Sequence, residues 1–248
     1  MKEKRSKSQI RQGLAADPKK MQRWISIKNR RRASTLVRWI MRWRLPLREK
    51  KKNKILEAAF ITAKNEAINF EHSKLQSSST IFNIVLYFLL AERDIQCFKV
   101  DALTHKDEWR RKLSARVILL TMHELDLDKV TGQKLQNALV EMGISDETKK
   151  EVREALRLIR KVQQKIRKEF SFVRNNAIAH RYENALVQYR EIRNLNVLEV
   201  LGVAAEFYEH SDKFIGALTK IMKEGSTMTS LIRQWSRANS LANTPKEK

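Results

Sequence analysis

Residues 145–173 read SDETKKEVREALRLIRKVQQKIRKEFSFV, and this stretch decides the fold. Val152, Leu156, Ile159, Ile166, Phe170 and Val173 recur at spacings of three, four and seven. That is the period of one helix face, held for roughly six turns. Ser145 stands where an N-cap belongs, and Asp146 and Glu147 fill the first turn, where carboxylates meet the positive end of the helix dipole. Arg157, Arg160, Lys161, Lys165, Arg167 and Lys168 decorate the helix, which in its plainest reading is a solvated face.

The same period extends upstream. Residues 54–72 predict a helix with Ile55, Ala58, Ala59, Thr62, Ala63, Glu66 and Phe70 near one face. Ser77, Ser78, Ser79 and Thr80 predict a break, with an N-cap among their hydroxyls. The most apolar run, Ile81 to Leu90, is far shorter than the roughly 20 residues that span a bilayer, so it predicts a central buried helix, closed by Glu92-Arg93-Asp94. A helix over about 107–125 turns Trp109, Leu113, Val117 and Leu120 inward. A short one through Leu135, Leu139 and Met142 stops at Gly143. Downstream, a helix runs through Asn184, Tyr189 and Ile192 and breaks at Asn194-Leu195-Asn196. The last long helix buries Val197, Leu201, Ala204 and Tyr208, then Ile215, Leu218 and Met222 past a kink at His210-Ser211, and ends at Gly225. Residues 239–248 read as a disordered tail.

Composition agrees with an all-α fold. Six Gly and three Pro in 248 residues are too few for many strands and tight turns, and 42% hydrophobic residues suffice for a core. The single Cys97 excludes an intramolecular disulfide and a Cys-based zinc site, and fits a reducing cytoplasm. No apolar segment follows the basic N-terminus as in a signal peptide. The expected location is therefore cytoplasmic.

The net charge of +23 is lopsided. Residues 1–54 hold 20 Lys/Arg and 3 Asp/Glu, or +17; residues 55–248 hold 31 and 25, or +6. This marks a basic arm on a nearly balanced body, with the boundary near 46–54, where Pro46 ends or kinks a helix and Lys50-Lys51-Lys52 follow. Arg30, Arg31 and Arg32 precede a segment in which Trp39 and Trp43 interleave with Arg38, Arg42 and Arg44. Trp39 and Trp43, four apart, share a helix face. Guanidinium and indole groups together suit phosphates and unpaired bases. The pattern also suits an anionic membrane surface, or docking of the arm on the body through its aromatic side.

Directly after the long helix comes Arg174-Asn175-Asn176-Ala177-Ile178-Ala179-His180-Arg181-Tyr182. Arg and His have five residues between them, a polar residue follows the Arg, and Tyr182 stands two positions after His180. This resembles the R-x(4–6)-H signature of the HEPN superfamily, in its R-x(4–6)-H-x-Y form. Arg116 and His123 match the bare spacing too, but Val117, Ile118, Leu119 and Leu120 follow Arg116, a helix core run. The resemblance covers roughly residues 75–225. It implies an all-α, HEPN-like helical bundle over residues 55–238, with the basic helical arm as an extension.

The resemblance also implies an activity: metal-independent endoribonuclease, of the toxin or abortive-infection type used in antiviral defence. His180 would move protons near neutral pH, and Arg174 would match phosphate oxygens with a permanently charged planar fork. Asn175 would support them. Tyr182 would contact RNA or serve as a modification site for an antitoxin, and Arg181 would join the arm's Arg and Trp residues in holding RNA. On a straight helix, positions six apart point about 120° away from each other, so Arg174 and His180 share a face only if the chain turns between them. Asn175 and Asn176 suit that turn.

Expected partners are RNA, a second copy in a homodimer that completes a composite site, and an antitoxin of protein or structured RNA. No stable membrane insertion and no cofactor are expected. His123-Glu124-Leu125-Asp126-Leu127-Asp128 lacks zincin spacing, and its acids suit a solvated loop better than a metal site. Two alternatives stay open: a bundle that binds RNA or nucleotide without cutting it, and a membrane-surface protein anchored by the Trp/Arg helix.

Overall fold

A computed structural model of the chain describes residues 18–173 and 183–242. Among the described residues there are nine helices and no strand: α1 Pro18–His72, α2 Gln76–Thr104, α3 Glu108–Glu124, α4 Leu127–Thr131, α5 Gln133–Glu141, α6 Asp146–Val173, α7 Ala185–Asn194, α8 Val197–Gly225 and α9 Met228–Ala242. The chain is all-α, as expected. No helix among these residues is long and apolar enough to cross a membrane. The chain divides into two compact units after Leu47.

In the unit from Arg48 onward, α8 is the hub: it packs against α2, α3 and α6, while α3 also packs on α2 and α6. The apolar period of each helix supplies the core, in which Ile81, Ile84, Ile118, Leu135, Ile159 and Phe214 are all but inaccessible. Phe88 of α2 meets Phe214 of α8 with ring centroids 4.7 Å apart. α6 and α8 run antiparallel. Lys220 contacts Glu151 at 2.6 Å, and farther along α6 Lys165 contacts Glu206 at 2.8 Å. α5 caps one end against α2, and α9 packs on α5 and α8.

The α6–α8 pair begins with a cap built from both helices. The Ser145 N–H donates to Glu224 Oε2 at 2.8 Å, and the Ser145 and Thr148 hydroxyls donate to Oε1. Burial alone would raise the Glu224 pKa, but these hydrogen bonds and the nearby Lys149 outweigh it and hold the carboxyl below its ordinary value. A carboxylate so depressed stabilises the fold above its unfolded-state pKa, and that contribution disappears as pH falls through the folded-state pKa. Glu224→Gln is therefore expected to cost about 1 kcal/mol at neutral pH, the scale of a helix cap. Melting curves of the variant and wild type should converge below about pH 4; a gap independent of pH would mean that charge plays no part.

The structure corrects several local expectations. α1 does not end at Pro46 but continues helical to His72, joining the predicted arm helix to the predicted 54–72 helix. The carbonyl that Pro46 leaves without an amide partner belongs to Arg42, an exposed residue where water can take its place. Of the predicted stripe, Ala63 is buried and Ala59, Glu66 and Phe70 are half-buried, but Ala58 and Thr62 are exposed and Ile55 is 72% exposed, with Leu56, Phe60 and Ala67 packed instead. The break falls at Ser73–Leu75, with Lys74 in the left-handed region at φ 60°, and the serines lie inside α2. They were free to go inside because their hydroxyls serve tertiary contacts: Ser77 with Glu141, Ser78 with Gln234 at 2.9 Å, Ser79 with the Ala67 carbonyl at 3.1 Å.

α2 also runs past Glu92-Arg93-Asp94 to Thr104, because Ile95 and Ala102 carry the buried stripe onward. In α3, Trp109 and Leu113 are largely exposed, while Ala115, Ile118, Leu119 and Met122 face the core. Asn184 does not lie inside the helix after the motif but caps it, accepting from Leu186 and Val187 N–H. α8 passes His210-Ser211 without a break, since Ser211 is buried in its continuing apolar face. α9 reaches Ala242, past the predicted start of the tail at Asn239. Gly143 does end α5, at φ +67°, and a Cβ there would stand 1.5 Å from Arg233 Nη1, so glycine makes room for that guanidinium.

Candidate functional site

Arg174, Asn175, His180, Arg181 and Tyr182 lie outside the described residues, so the site is framed by what precedes and follows it. α6 reaches Val173 with Phe170 buried and Val173 packed against the core. Antiparallel pairing puts this end of α6 beside the start of α8. Gln163 Nε2 donates to the Met122 carbonyl at 3.1 Å and the Leu125 carbonyl at 2.7 Å, and Arg160 meets Asp128 at 2.9 Å. α3 therefore also runs antiparallel to α6, with its first turns toward the end of α6.

α7 is tied to those first turns of α3. The Lys112 ammonium, buried but for 7% of its side chain, donates to the Arg193 carbonyl near the C-terminus of α7, where a cation meets the negative end of the helix dipole. Glu108 holds Lys112 at 2.9 Å. The hydrogen bond from Lys112, and then its charge, keep the Glu108 carboxyl below its ordinary pKa. Trp109 stacks on Tyr189 with centroids 6.3 Å apart. The end of α6, the start of α3, α7 and the start of α8 thus converge at one end of this unit.

The basic residues of this end fall into two groups. Arg157 pairs with Glu154, Arg160 with Asp128 and Lys165 with Glu206. Lys161, Arg167 and Lys168 on α6 and Arg190 on α7 are exposed. The charge run on the long helix is thus partly structural and partly presented to solvent. Arg116 is half-buried on α3, and burial lowers its guanidinium pKa, which leaves it charged at any physiological pH.

Of the arm residues, Arg30, Arg31, Arg32, Arg38 and Trp39 stand within the helical run of α1. Arg42, Trp43 and Arg44 are exposed on it, Trp43 over 68% of its surface. The acidic segment after His123 serves structure: Asp126 caps α4 by accepting from the Lys129 N–H, and Asp128 holds Arg160. No group of three or more His, Cys, Asp or Glu able to hold a metal ion occurs among the described residues.

Comparison with protein-family models, with curated proteins and with solved structures finds no match for this chain. Sequence reasoning missed Lys112 and Glu224, because a buried amine and a cap donated from 79 residues away carry no local signal. It also missed a cavity around Glu92, Gln96 and Tyr208, for which Glu92 within an apolar helical period was the available sign.

Proposed function

We propose that this protein is a metal-independent endoribonuclease. The observation that carries the reading is the Arg174-Asn175…His180 constellation, flanked by two elements fixed to the bundle. Phe170 anchors the chain before the motif, and the Lys112 and Trp109 contacts anchor α7 after it. Fixed flanking elements support this reading, since a catalytic pair needs its groups held in position.

RNA carries its own nucleophile, the 2′-OH. His180 takes or gives the proton, and the Arg174 fork binds the phosphate and the charge that grows on it. The guanidinium does the work a metal ion does elsewhere, so cleavage should survive EDTA. Asn175 supports the phosphate, and Tyr182 contacts RNA or receives an antitoxin's modification. Two copies in a homodimer would bring both Arg/His pairs to one cleft. A toxin or abortive-infection role in antiviral defence, held in check by an antitoxin, fits an enzyme with this chemistry. A strand of RNA with one 2′-deoxy substitution at the mapped cleavage position tests the reading: cutting there would rule out the 2′-OH as nucleophile.

The exposed Arg42, Trp43 and Arg44 favour an RNA-binding role for the arm, in addition to the cleavage motif. Full-length protein should bind RNA with a steep loss of affinity as salt rises, and deletion of residues 1–54 should flatten that slope. Unchanged affinity and slope in the truncated protein would show that the arm is no RNA element.

A further inference from the structure

A cavity of about 430 Å³ opens between α1, α2 and α8 in the second unit. Ile95, Leu103, Leu201 and Ala204 give it an apolar lining. Its polar groups are chiefly acceptors. Gln96, which lines it, is only 6% exposed; its amide nitrogen donates to Glu92 Oε1 at 3.0 Å, and its own Oε1 has no partner. Beside it, Glu49 is 5% exposed, holds Lys99 through Oε1 at 3.2 Å, and has no partner at Oε2. Asn53, one turn on from Glu49, leaves Oδ1 unpartnered too. Buried acceptors without donors are costly, and a cluster of them calls for an explanation.

The charges around the cavity do not balance. Lys99 is matched by Glu49, and Glu209 by Lys213 at 2.8 Å. Among the described residues that line the cavity, Lys52 and Lys99 stand against three carboxylates, Glu92, Glu209 and Asp212, leaving one negative charge over. Burial raises the Glu92 pKa and Asp212 raises it further, against the smaller effects of Lys52, Gln96 and Lys99. The Tyr208 hydroxyl donates to the Glu92 backbone carbonyl at 3.0 Å, which fixes the phenol ring as one wall.

We propose that this cavity binds a small primary amine in its protonated form, the ammonium donating to the Glu92 carboxylate, the unpartnered Gln96 oxygen and Asp212. Its carbon body lies on Leu201, Ala204 and the Tyr208 ring. An anion is excluded by the surplus negative charge. A hydrated metal ion would make no use of the apolar lining, whereas an alkylammonium offers three donors on one side and hydrocarbon on the other.

The test is isothermal titration of the full-length protein with n-butylammonium chloride, with n-butanol as its neutral counterpart. Saturable one-to-one binding of the ammonium is expected, with butanol weaker by about tenfold or more, the range for a charge-assisted hydrogen bond. Glu92→Gln should weaken butylammonium binding by about tenfold, and Asp212→Asn, at an exposed position safe for folding, by a smaller factor. Lys52→Gln, which removes the like charge, should strengthen it. Thermal melts check that each variant is folded. The assignment is overturned if butylammonium does not bind, if butanol binds as well, or if folded Glu92→Gln and Asp212→Asn both keep wild-type affinity.

Discussion

Replacing His180 by alanine is expected to lower the rate of RNA cleavage by about a hundredfold or more, and Arg174→Ala to do the same, with the fold unchanged. The size of the effect follows from the proposed roles. Without the imidazole, no group with a pKa near neutrality stands ready to move the proton of the 2′-OH. Without the guanidinium, charge accumulating on the phosphorane loses a donor pair that is permanently ionised. Arg174→Lys should not restore activity, because an ammonium keeps the charge but not the planar fork. The products should carry a 2′,3′-cyclic phosphate and a 5′-hydroxyl, which end-labelling of the fragments resolves. The two variants need not be additive, since residues acting as one unit lose most of the rate with the first change. Wild-type rates in both alanine variants, with circular dichroism confirming the fold, would refute the assigned site.

Phe214→Ala should be the most damaging core substitution, costing about 3–5 kcal/mol. Phe214 is fully buried on α8, the helix that touches α2, α3 and α6, and its ring packs 4.7 Å from that of Phe88. Truncation to alanine removes apolar contacts from several helices and leaves a void that close-packed neighbours fill poorly. At roughly 2–4 °C per kcal/mol for a domain of this size, the midpoint should drop by about 6–20 °C. Phe214→Leu, which keeps most of the volume, should lose less. A loss below about 1 kcal/mol in the alanine variant would mean that α8 is not the centre of the packing.

How much of this was legible beforehand depended on whether the cause was local. The period of Val152, Leu156, Ile159, Ile166 and Phe170 located α6 and its buried face, because periodicity is written into each turn. Ser145 as a cap and Gly143 as a stop were readable for the same reason, each acting on its own helix end. The α1–α2 break was not. It uses a lysine in the left-handed region, where a glycine or asparagine would have announced the turn, so the serines next to it drew the boundary instead. The face of α3 was misread because Trp109 and Leu113 look like core residues, while Lys112 and Ser114 take the buried positions. Lys112 is buried to serve Arg193, 81 residues away, and nothing near Lys112 in sequence says so. For the site, Arg174, Asn175 and His180 lie outside the described residues, and what could be read was the helix that precedes them. The contacts that tie α7 to α3 are tertiary and had no sequence sign.

Buried side-chain hydrogen bonds fasten α9 to the rest of the bundle. The buried Ser78 N–H and hydroxyl of α2 both go to Gln234, 156 residues later, and the Ser230 hydroxyl goes to the Met142 carbonyl. α2 leaves the ribosome before its partners in α9 and the apolar face of α8 have been made. The nascent chain carries its most apolar helix incompletely covered until α8 and α9 have followed it, a state in which exposed hydrophobic surface invites aggregation or a holding chaperone. A ribosome stalled before α9 therefore holds a chain with its central serines still unanswered.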